Sequence, residues 1–157
     1  MTFFRSLAYS GTNFAKNASH RRSILLCNVM SLTLFVLGLV LFLAYYYWYG
    51  WNLVTKSIPV VSVFSLLPLL LNRAGLDAVS RVLQSLLIPV ATLAISIYAK
   101  KTYYETQEEL DYFTFRFIML GSCVFPVVFF TFREKKLLIL TTAAGFLLLV
   151  LHDPLHN

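Results

Sequence analysis

Arg116 is the residue whose chemical type fits its surroundings least, because it lies inside an apolar stretch of about residues 113–132. A guanidinium in hydrocarbon is costly unless it reaches the membrane surface or finds a partner. Asp111, Glu109 or Asp153 from a neighbouring helix end could neutralise it. The position therefore predicts either an arginine that reaches toward the outer surface, or an anchor for a polar ligand head or a signalling ion pair.

The connection 100–111 holds four of the seven acidic residues of the chain. Glu105, Glu108 and Glu109 share one helical face through i, i+3 and i+4 spacing, and the aromatic Tyr104 lies beside them. Carboxylates in this arrangement can bind a cation or a polar signal at the mouth of a bundle, although such a segment is also typical of a solvated cap. With two tryptophans from the end of the first apolar segment, the candidate signal-binding residues are Arg116, Tyr104, Glu105, Glu108, Asp111, Trp48 and Trp51.

His152 and His156 have the spacing of one histidine box of the membrane di-iron oxygenases and desaturases. Those enzymes need further histidine clusters, the remaining histidine is His20 near the other terminus, and Pro154 interrupts the geometry that would aim both rings at one metal. We therefore favour an interfacial turn in which Asp153 bonds to the backbone ahead of Pro154. The sequence also has no Ser-His-acid set, Gly-rich phosphate loop or Cys-x-x-Cys pair. We expect no catalytic residue, no metal and no cofactor within these residues.

The composition is that of a membrane protein. Of 157 residues, 59% are apolar and 13% are charged, whereas an ordinary soluble domain has roughly 45–50% and about 25%. Because one crossing takes about 20 residues, five crossings would leave no room for a soluble catalytic domain. This excludes a cytosolic enzyme, a DNA-binding module and a secreted disulfide scaffold. We predict an all-α, polytopic transmembrane helix bundle.

Five apolar segments form the predicted bundle. The second and fifth are short for crossings, but residues 51–54 can lengthen the second, and lysines that reach the surface can lengthen the fifth. Pro59, Pro68, Pro89 and Pro126 interrupt three of the segments and predict kinks. The segments cover about residues 24–47, 57–71, 82–99, 113–132 and 137–151.

Lysine and arginine are distributed unequally between alternate connections. The N-terminal tail and the connections 72–81 and 133–136 carry nine of the 13 basic residues, and the opposite side carries four. The positive-inside rule then predicts a cytoplasmic N-terminus in a bacterial inner membrane, with the Tyr and Trp residues of 45–51 in an outer interfacial belt. The net charge of +6 is on this interpretation an orientation signal and not a nucleic-acid site.

Residues 1–23 are predicted to be a cytoplasmic basic tail, and residues 24–157 a transmembrane domain. Phe3, Phe4 and Leu7 have helical spacing, which favours a short amphipathic helix on an anionic leaflet. A poorly ordered tail is the alternative. A cleaved signal peptide fits badly, because the apolar stretch that follows far exceeds the usual core of about 7–15 residues.

Polar side chains within the apolar segments are expected to join helices by hydrogen bonds. Cys27 and Cys123 lie in separate apolar segments, which indicates two buried thiols and no disulfide framework. The interior hydroxyls and amides are Asn28, Ser31, Thr33, Gln84, Ser85, Thr92, Ser96, Ser122, Thr141 and Thr142.

The connection 72–81 reads Asn-Arg-Ala-Gly-Leu-Asp-Ala-Val-Ser-Arg. Asn72 and Gly75 predict a helix stop, and the next helix is expected to restart before Arg81. These three residues, like Asp153 and Pro154, are predicted to form structural turns.

The chain combines this turn with the Phe125-Pro126 pair, the basic hairpin 133–136 and the ending 152–157. In these features it resembles the six-helix membrane receptor domain of bacterial quorum-sensing histidine kinases. The resemblance extends to the input half of receptor-type adenylate and guanylate cyclases and spans about residues 20–157. It implies a cytoplasmic N-terminus and a sixth helix that leads into a cytoplasmic kinase or cyclase domain. We therefore expect a bundle that lacks one crossing.

The predicted function is that of a sensory input domain of a bacterial signalling protein. Its expected partners are the lipid bilayer, a small amphiphilic signal and a second copy, as a homodimer formed through the full-length protein, with no nucleic acid. A small transporter or channel-like subunit is the alternative, and a passive anchor is a third reading. Any kinase or cyclase activity would belong to the full-length protein.

Overall fold

The computed structural model describes the backbone of residues 2–102 and 109–156, and the side chains of residues 4–98, 100 and 113–154. Regular structure in these ranges is helical throughout, which confirms the predicted all-α class there. Short 3-10 turns occupy Thr12–Phe14 and Phe132–Glu134. The α-helices are α1 (Thr2–Ala8), α2 (Ala18–Tyr49), α3 (Leu53–Phe64), α4 (Leu67–Arg73), α5 (Asp77–Thr102), α6 (Glu109–Ser122), α7 (Phe125–Phe129) and α8 (Lys135–His156).

Four helical stretches are long and apolar enough to cross a membrane: Ala18–Tyr49, Leu53–Arg73, Asp77–Tyr98 and Phe132–Pro154. In their most apolar windows only 17% to 33% of the residues are buried inside the protein. Apolar surface of this extent is expected of helices that face lipid. The remaining apolar stretch, Phe113–Phe129, is shorter. The fourth predicted segment is therefore the short one. The second reaches spanning length because residues 53 and 54 join it, and the fifth because Lys135 and Lys136 join it.

Two of the four prolines that are expected to kink helices lie instead at breaks between helices. Pro68 lies in the first turn of α4, directly after α3, and Pro126 lies in the first turn of α7, directly after α6. Proline is well tolerated there, because the first helical N–H groups have no partner within the helix. Pro59 and Pro89 lie inside α3 and α5.

The helices pack most extensively as the pair α2 and α3, and as α5 with α6 and α8. α2 and α3 approach each other closely at Gly38, where a Cβ on the glycine would lie 2.8 Å from the Cβ of Ser62. Small residues at a crossing point allow helix backbones to come together in this way.

The N-terminal tail folds back onto the bundle. The side-chain amide of Asn28 donates to the carbonyl oxygens of Ala8 and Ser10 at 2.9 and 2.8 Å. Gly11, at φ 75°, lies so close to the carbonyl group of Asn72 that a Cβ would overlap it. The tail therefore contains the short helix α1 and is seated on α2 and α4.

The bundle has two chemically different ends. The start of α2, the α4–α5 connection and the α7–α8 connection meet around Arg81, and we name this the Arg81 end. Near the opposite end, which we name the Arg116 end, Arg116 of α6 meets the last turns of α8. In the α4–α5 connection Gly75 has φ 79°, and α5 begins at Asp77, so a helix stop and restart lie where the sequence places them.

Candidate functional site

The guanidinium of Arg81 is buried at the Arg81 end, with only 1% of the residue exposed. Its two terminal nitrogens donate to the two carboxylate oxygens of Glu134, each at 2.8 Å. Nη2 also donates to Asp77 at 2.8 Å, and Nη1 donates to the carbonyl oxygen of Phe129 at 3.2 Å. The ring of Phe130 lies against the guanidinium, 5.1 Å from centroid to Cζ. The buried guanidinium is thereby contacted by two carboxylates, one carbonyl oxygen and one aromatic ring.

His20 completes this group of charges from the first turn of α2. Its Nε2 lies 2.6 Å from a carboxylate oxygen of Asp77 and 3.1 Å from Arg81. The backbone N–H of Lys16 donates to the other ring nitrogen, Nδ1, at 3.2 Å. Since Nδ1 accepts, a neutral imidazole carries its proton on Nε2 and donates it to Asp77. We call His20, Asp77, Arg81 and Glu134 the Arg81 cluster.

Local sequence explains why these side chains converge. Asp77 and Arg81 are four residues apart on α5 and therefore share one helical face. Glu134 is held by a capping box, in which the backbone N–H and the hydroxyl of Thr131 both donate to its Oε2 at 3.1 Å. One carboxylate thus ends the α7–α8 connection and pairs with α5, so the cluster fastens three parts of the chain together.

A row of hydrogen bonds begins at Ser80, which directly precedes Arg81, and extends between α2, α4 and α5 into the middle of the bundle. Ser80, next to Arg81, donates to the carbonyl oxygen of Pro68 at 2.9 Å and lies 3.5 Å from the thiol of Cys27. One turn further along α2, the hydroxyl of Ser31 bonds to Gln84 of α5 at 3.0 Å. We call the buried residues Cys27, Ser31, Ser65, Ser80 and Gln84 the polar seam.

The polar seam ends at an apolar cavity of about 180 Å³ between α2, α3 and α5. Ser65, in the wall of this cavity, donates to the carbonyl oxygens of Ser62 at 2.6 Å and Ser31 at 3.3 Å. Aliphatic side chains form most of the remaining wall, among them Leu37 and Ile88. A dry cavity of about 150 Å³ accommodates a benzene-sized molecule, so this one can hold a short apolar group.

A second buried contact ties the tail to the polar seam. The amide of Asn72 donates to the side-chain oxygen of Asn28 at 2.6 Å, and both residues are fully buried. Since Asn28 also holds the tail, Asn72 is more than the helix stop that the sequence predicts. It is part of the packing between α2, α4 and the tail.

At the Arg116 end, Nη2 of Arg116 lies 3.4 Å from a carboxylate oxygen of Asp153, with 40% of each side chain exposed. Asp153 is one of the three acids that the sequence offers as partners. The predicted turn at Asp153 and Pro154 is wrong, because α8 continues through both residues to His156. Asp153 is instead presented by a helix, and its neighbour His152 lies 2.9 Å from the hydroxyl of Ser96.

The two candidate tryptophans lie at the end of α2 and just beyond it. Trp48 is 74% exposed, and Trp51 is 62% exposed. The Trp51 ring packs edge-on against Tyr46, at 5.6 Å between centroids, and against Phe42 at 6.1 Å. Large exposed aromatic side chains at a helix end suit a membrane interface.

The remaining candidate signal-binding residues have side chains outside the described part of the structure. Tyr104, Glu105 and Glu108 lie outside the described residues. Asp111 lies in α6, but its side chain is outside the described part. Their grouping with Arg116 stays a prediction.

The sequence alone does not predict the Arg81 cluster. From the sequence, Arg81 is expected at a helix restart, and no functional role is expected for His20, Asp77 or Glu134. Two signals point to the cluster: the Thr131-x-x-Glu134 pattern of a capping box and the i, i+4 spacing of Asp77 and Arg81. The pairing of Arg81 with Glu134 has no local signal, because 53 residues separate them.

No family model, curated protein or solved structure matches the chain. Across the described ranges, no group of three or more His, Cys, Asp or Glu side chains is arranged to hold a metal ion. Function is therefore inferred from the geometry of the chain itself.

Proposed function

We propose that the chain is a membrane-embedded sensory input domain of a bacterial signal-transduction protein of the histidine kinase or nucleotidyl cyclase type. In this proposal the Arg81 end is cytoplasmic, and the bundle passes a signal to an output domain. One observation carries the proposal: the polar seam extends from the wall of the apolar cavity to Ser80, which directly precedes Arg81 in α5.

The proposed occupant of the cavity is the apolar part of a small amphiphile. The cavity wall is mainly aliphatic, and its few polar groups come from side chains such as Ser62 and Thr92. Gly38 belongs to the same wall and marks a close contact of α2 with α3. An occupant would therefore act on the point at which these two helices are held together.

A ligand shifts an equilibrium between two arrangements only by its different affinity for each. The polar seam supplies a discrete difference, because its bonds join α2 to α4 and α5, and a change in helix spacing would break or remake them. At the far end, Arg81 holds Glu134, and α8 begins at the next residue. A rearrangement of the seam would thereby reach the start of α8.

The test compares two alanines of α5. Ala91 lines the cavity, whereas Ala94 is exposed on the same helix. Ala91→Leu fills the cavity, and Ala94→Leu adds the same atoms to the surface. The full-length protein is assayed in membranes for kinase or cyclase output while 1-octanol and 1-decanol are titrated. A response that Ala91→Leu abolishes and Ala94→Leu preserves supports the proposal. An equal response of both variants, or none in the unaltered protein, argues against it.

A transport assay separates the alternative function. Liposomes that contain the chain are loaded with a radiolabelled short-chain amphiphile and scored for efflux. If the chain is a sensor, the amphiphile should bind saturably without faster efflux. Efflux that is faster than from protein-free vesicles, and that the Ala91→Leu substitution blocks, would favour a transporter.

A further inference from the structure

A groove of about 1100 Å³ opens at the Arg81 end, beside the Arg81 cluster and separate from the apolar cavity. Its walls come from the first turns of α2, the start of α5 and the chain from α7 to Glu134. Three of the four candidate membrane spans begin near this groove. The groove therefore lies where the apolar helices meet the membrane surface.

Three exposed basic side chains, Lys16, Arg22 and Arg133, line this groove. None of them forms an ion pair with a carboxylate in the described part of the chain. The two acids in the wall, Asp77 and Glu134, are both bound to Arg81. Three cations of the groove thus have no carboxylate partner, and the four basic and two acidic side chains of its wall together give a net charge of +2 when His20 is not counted.

Apolar side chains also line the groove. Val127 and Val128 of α7 are exposed and line it, together with Phe132, which is 79% exposed. Exposed aliphatic and aromatic side chains next to unbalanced cations form an amphipathic surface. Such a surface fits a molecule with an anionic head and an apolar tail.

We propose that this groove binds one anionic phospholipid of the leaflet at the Arg81 end. The phosphate lies between Lys16, Arg22 and Arg133, and an acyl chain lies along Val127 and Val128. Basic residues at a membrane surface attract anionic lipids in general, but here three of them line the same groove as a set of exposed apolar side chains. The site does not depend on the signal cavity between α2, α3 and α5.

The test compares two triple variants of the whole chain in nanodiscs. Lys16→Gln, Arg22→Gln and Arg133→Gln together remove the groove charges. The matched control, Arg73→Gln, Lys135→Gln and Lys136→Gln, removes the same charge from exposed positions near the same end but outside the groove. Phosphatidylglycerol is titrated into phosphatidylcholine discs, and the lipid that stays bound is measured by native mass spectrometry.

We expect the groove variant to bind phosphatidylglycerol about tenfold more weakly than the control variant, because both variants lose the same general attraction to anionic lipid and only the groove variant also loses direct charge-assisted hydrogen bonds to the phosphate. Equal loss in both variants would mean general surface attraction, and would overturn the site. Inorganic phosphate that displaces the lipid at low millimolar concentration would show that the groove takes a free anion instead.

A second measurement uses the unaltered chain and so does not depend on how the variants fold. Phosphatidylglycerol with a photoactivatable acyl chain is incorporated into the discs, and the crosslinked peptides are identified. Crosslinks at 127–132 are expected, and phosphatidylcholine with the same group should give few. Equal crosslinking by both lipids would overturn the proposal.

Discussion

The terminal nitrogens of Arg81 and the carboxylate oxygens of Glu134 face each other in two parallel pairs, each 2.8 Å apart, across 53 residues of chain. A planar guanidinium fits a carboxylate in this two-pronged way, whereas a lysine ammonium does not. Because Arg81 is buried, removal of Glu134 leaves a guanidinium with little access to water, and removal of Arg81 leaves two partly exposed carboxylates, Asp77 and Glu134, without their cation.

Arg81→Ala should lower the free energy of unfolding by about 3–5 kcal/mol, the usual cost of breaking a buried ion pair by removing one partner. The stability of Arg81→Lys should lie between that of Arg81→Ala and that of the unaltered protein, because lysine keeps the positive charge but cannot form the paired hydrogen bonds to the carboxylate. Thermal unfolding in nanodiscs measures both. Arg73→Ala, an exposed arginine near the same end, is the control and should change little. An Arg81→Ala variant as stable as that control would contradict this account of the cluster.

Gly38→Ala should destabilise the bundle by about 1–3 kcal/mol, the usual cost of overpacking. The new methyl would overlap Ser62 and push α2 away from α3. Gly121→Ala is the matched control, since a Cβ there meets nothing within 4 Å, and alanine favours a helix. Denaturation monitored by tryptophan fluorescence compares the two variants. The close contact has no energetic weight if both variants unfold at one denaturant concentration.

Gly11→Ala should release the N-terminal tail from the bundle. The residue has a positive φ of 75°, and its Cβ would overlap the carbonyl group of Asn72. Gly50→Ala has the same kind of backbone cost at φ 65° but open space around it. Hydrogen exchange of residues 4–14 should therefore accelerate in the first variant and not in the second. Unchanged exchange after Gly11→Ala would show that the tail is held by other contacts.

Arg116→Leu should change the free energy of unfolding by less than about 1 kcal/mol, because the pair with Asp153 is partly exposed and such pairs contribute little. Under the proposed function it should nevertheless shift the dose response of the full-length protein, as should Asp153→Asn. Unfolding and output are measured on the same preparations. An unchanged dose response in both variants would leave Arg116 a residue of the interface without a part in signalling.

The proposed orientation predicts which positions a membrane-impermeant thiol reagent reaches in intact cells. With Cys27 and Cys123 replaced by alanine, Lys56→Cys should react before lysis and Lys135→Cys only after it. Both positions are exposed. The opposite pattern would place the Arg81 end outside, and would invert the proposed direction of signalling.

The sequence predicts the helices well and their breaks less well. Apolar runs identify the long helices because burial in lipid needs no partner in the chain. Pro68 and Pro126 look like kinks in sequence, but in the structure they begin new helices after a break. Pro154 looks like a turn, yet α8 continues through it. The same residue type thus ends, begins or merely interrupts a helix according to the packing around it.

The candidate site divides in the same way. Arg116 stands out in sequence because it lies among apolar residues, and the structure gives it a partner from the predicted set. The Arg81 cluster does not stand out, because its members occupy connections in which charged residues are ordinary. What makes them a cluster is the meeting of three distant parts of the chain, and no periodicity records such a meeting.

The distance along the chain between Arg81 and Glu134 also sets an order of events during synthesis. Arg81 is synthesised directly after Asp77, its partner from the same helix, and after His20. Glu134 and the carbonyl group of Phe129, at the end of α7, are made only after α5 and α6. Until then the nascent chain carries a guanidinium with half of its contacts missing, next to apolar helices. A stalled or truncated chain therefore differs from a finished one by an incompletely matched charge at the Arg81 end.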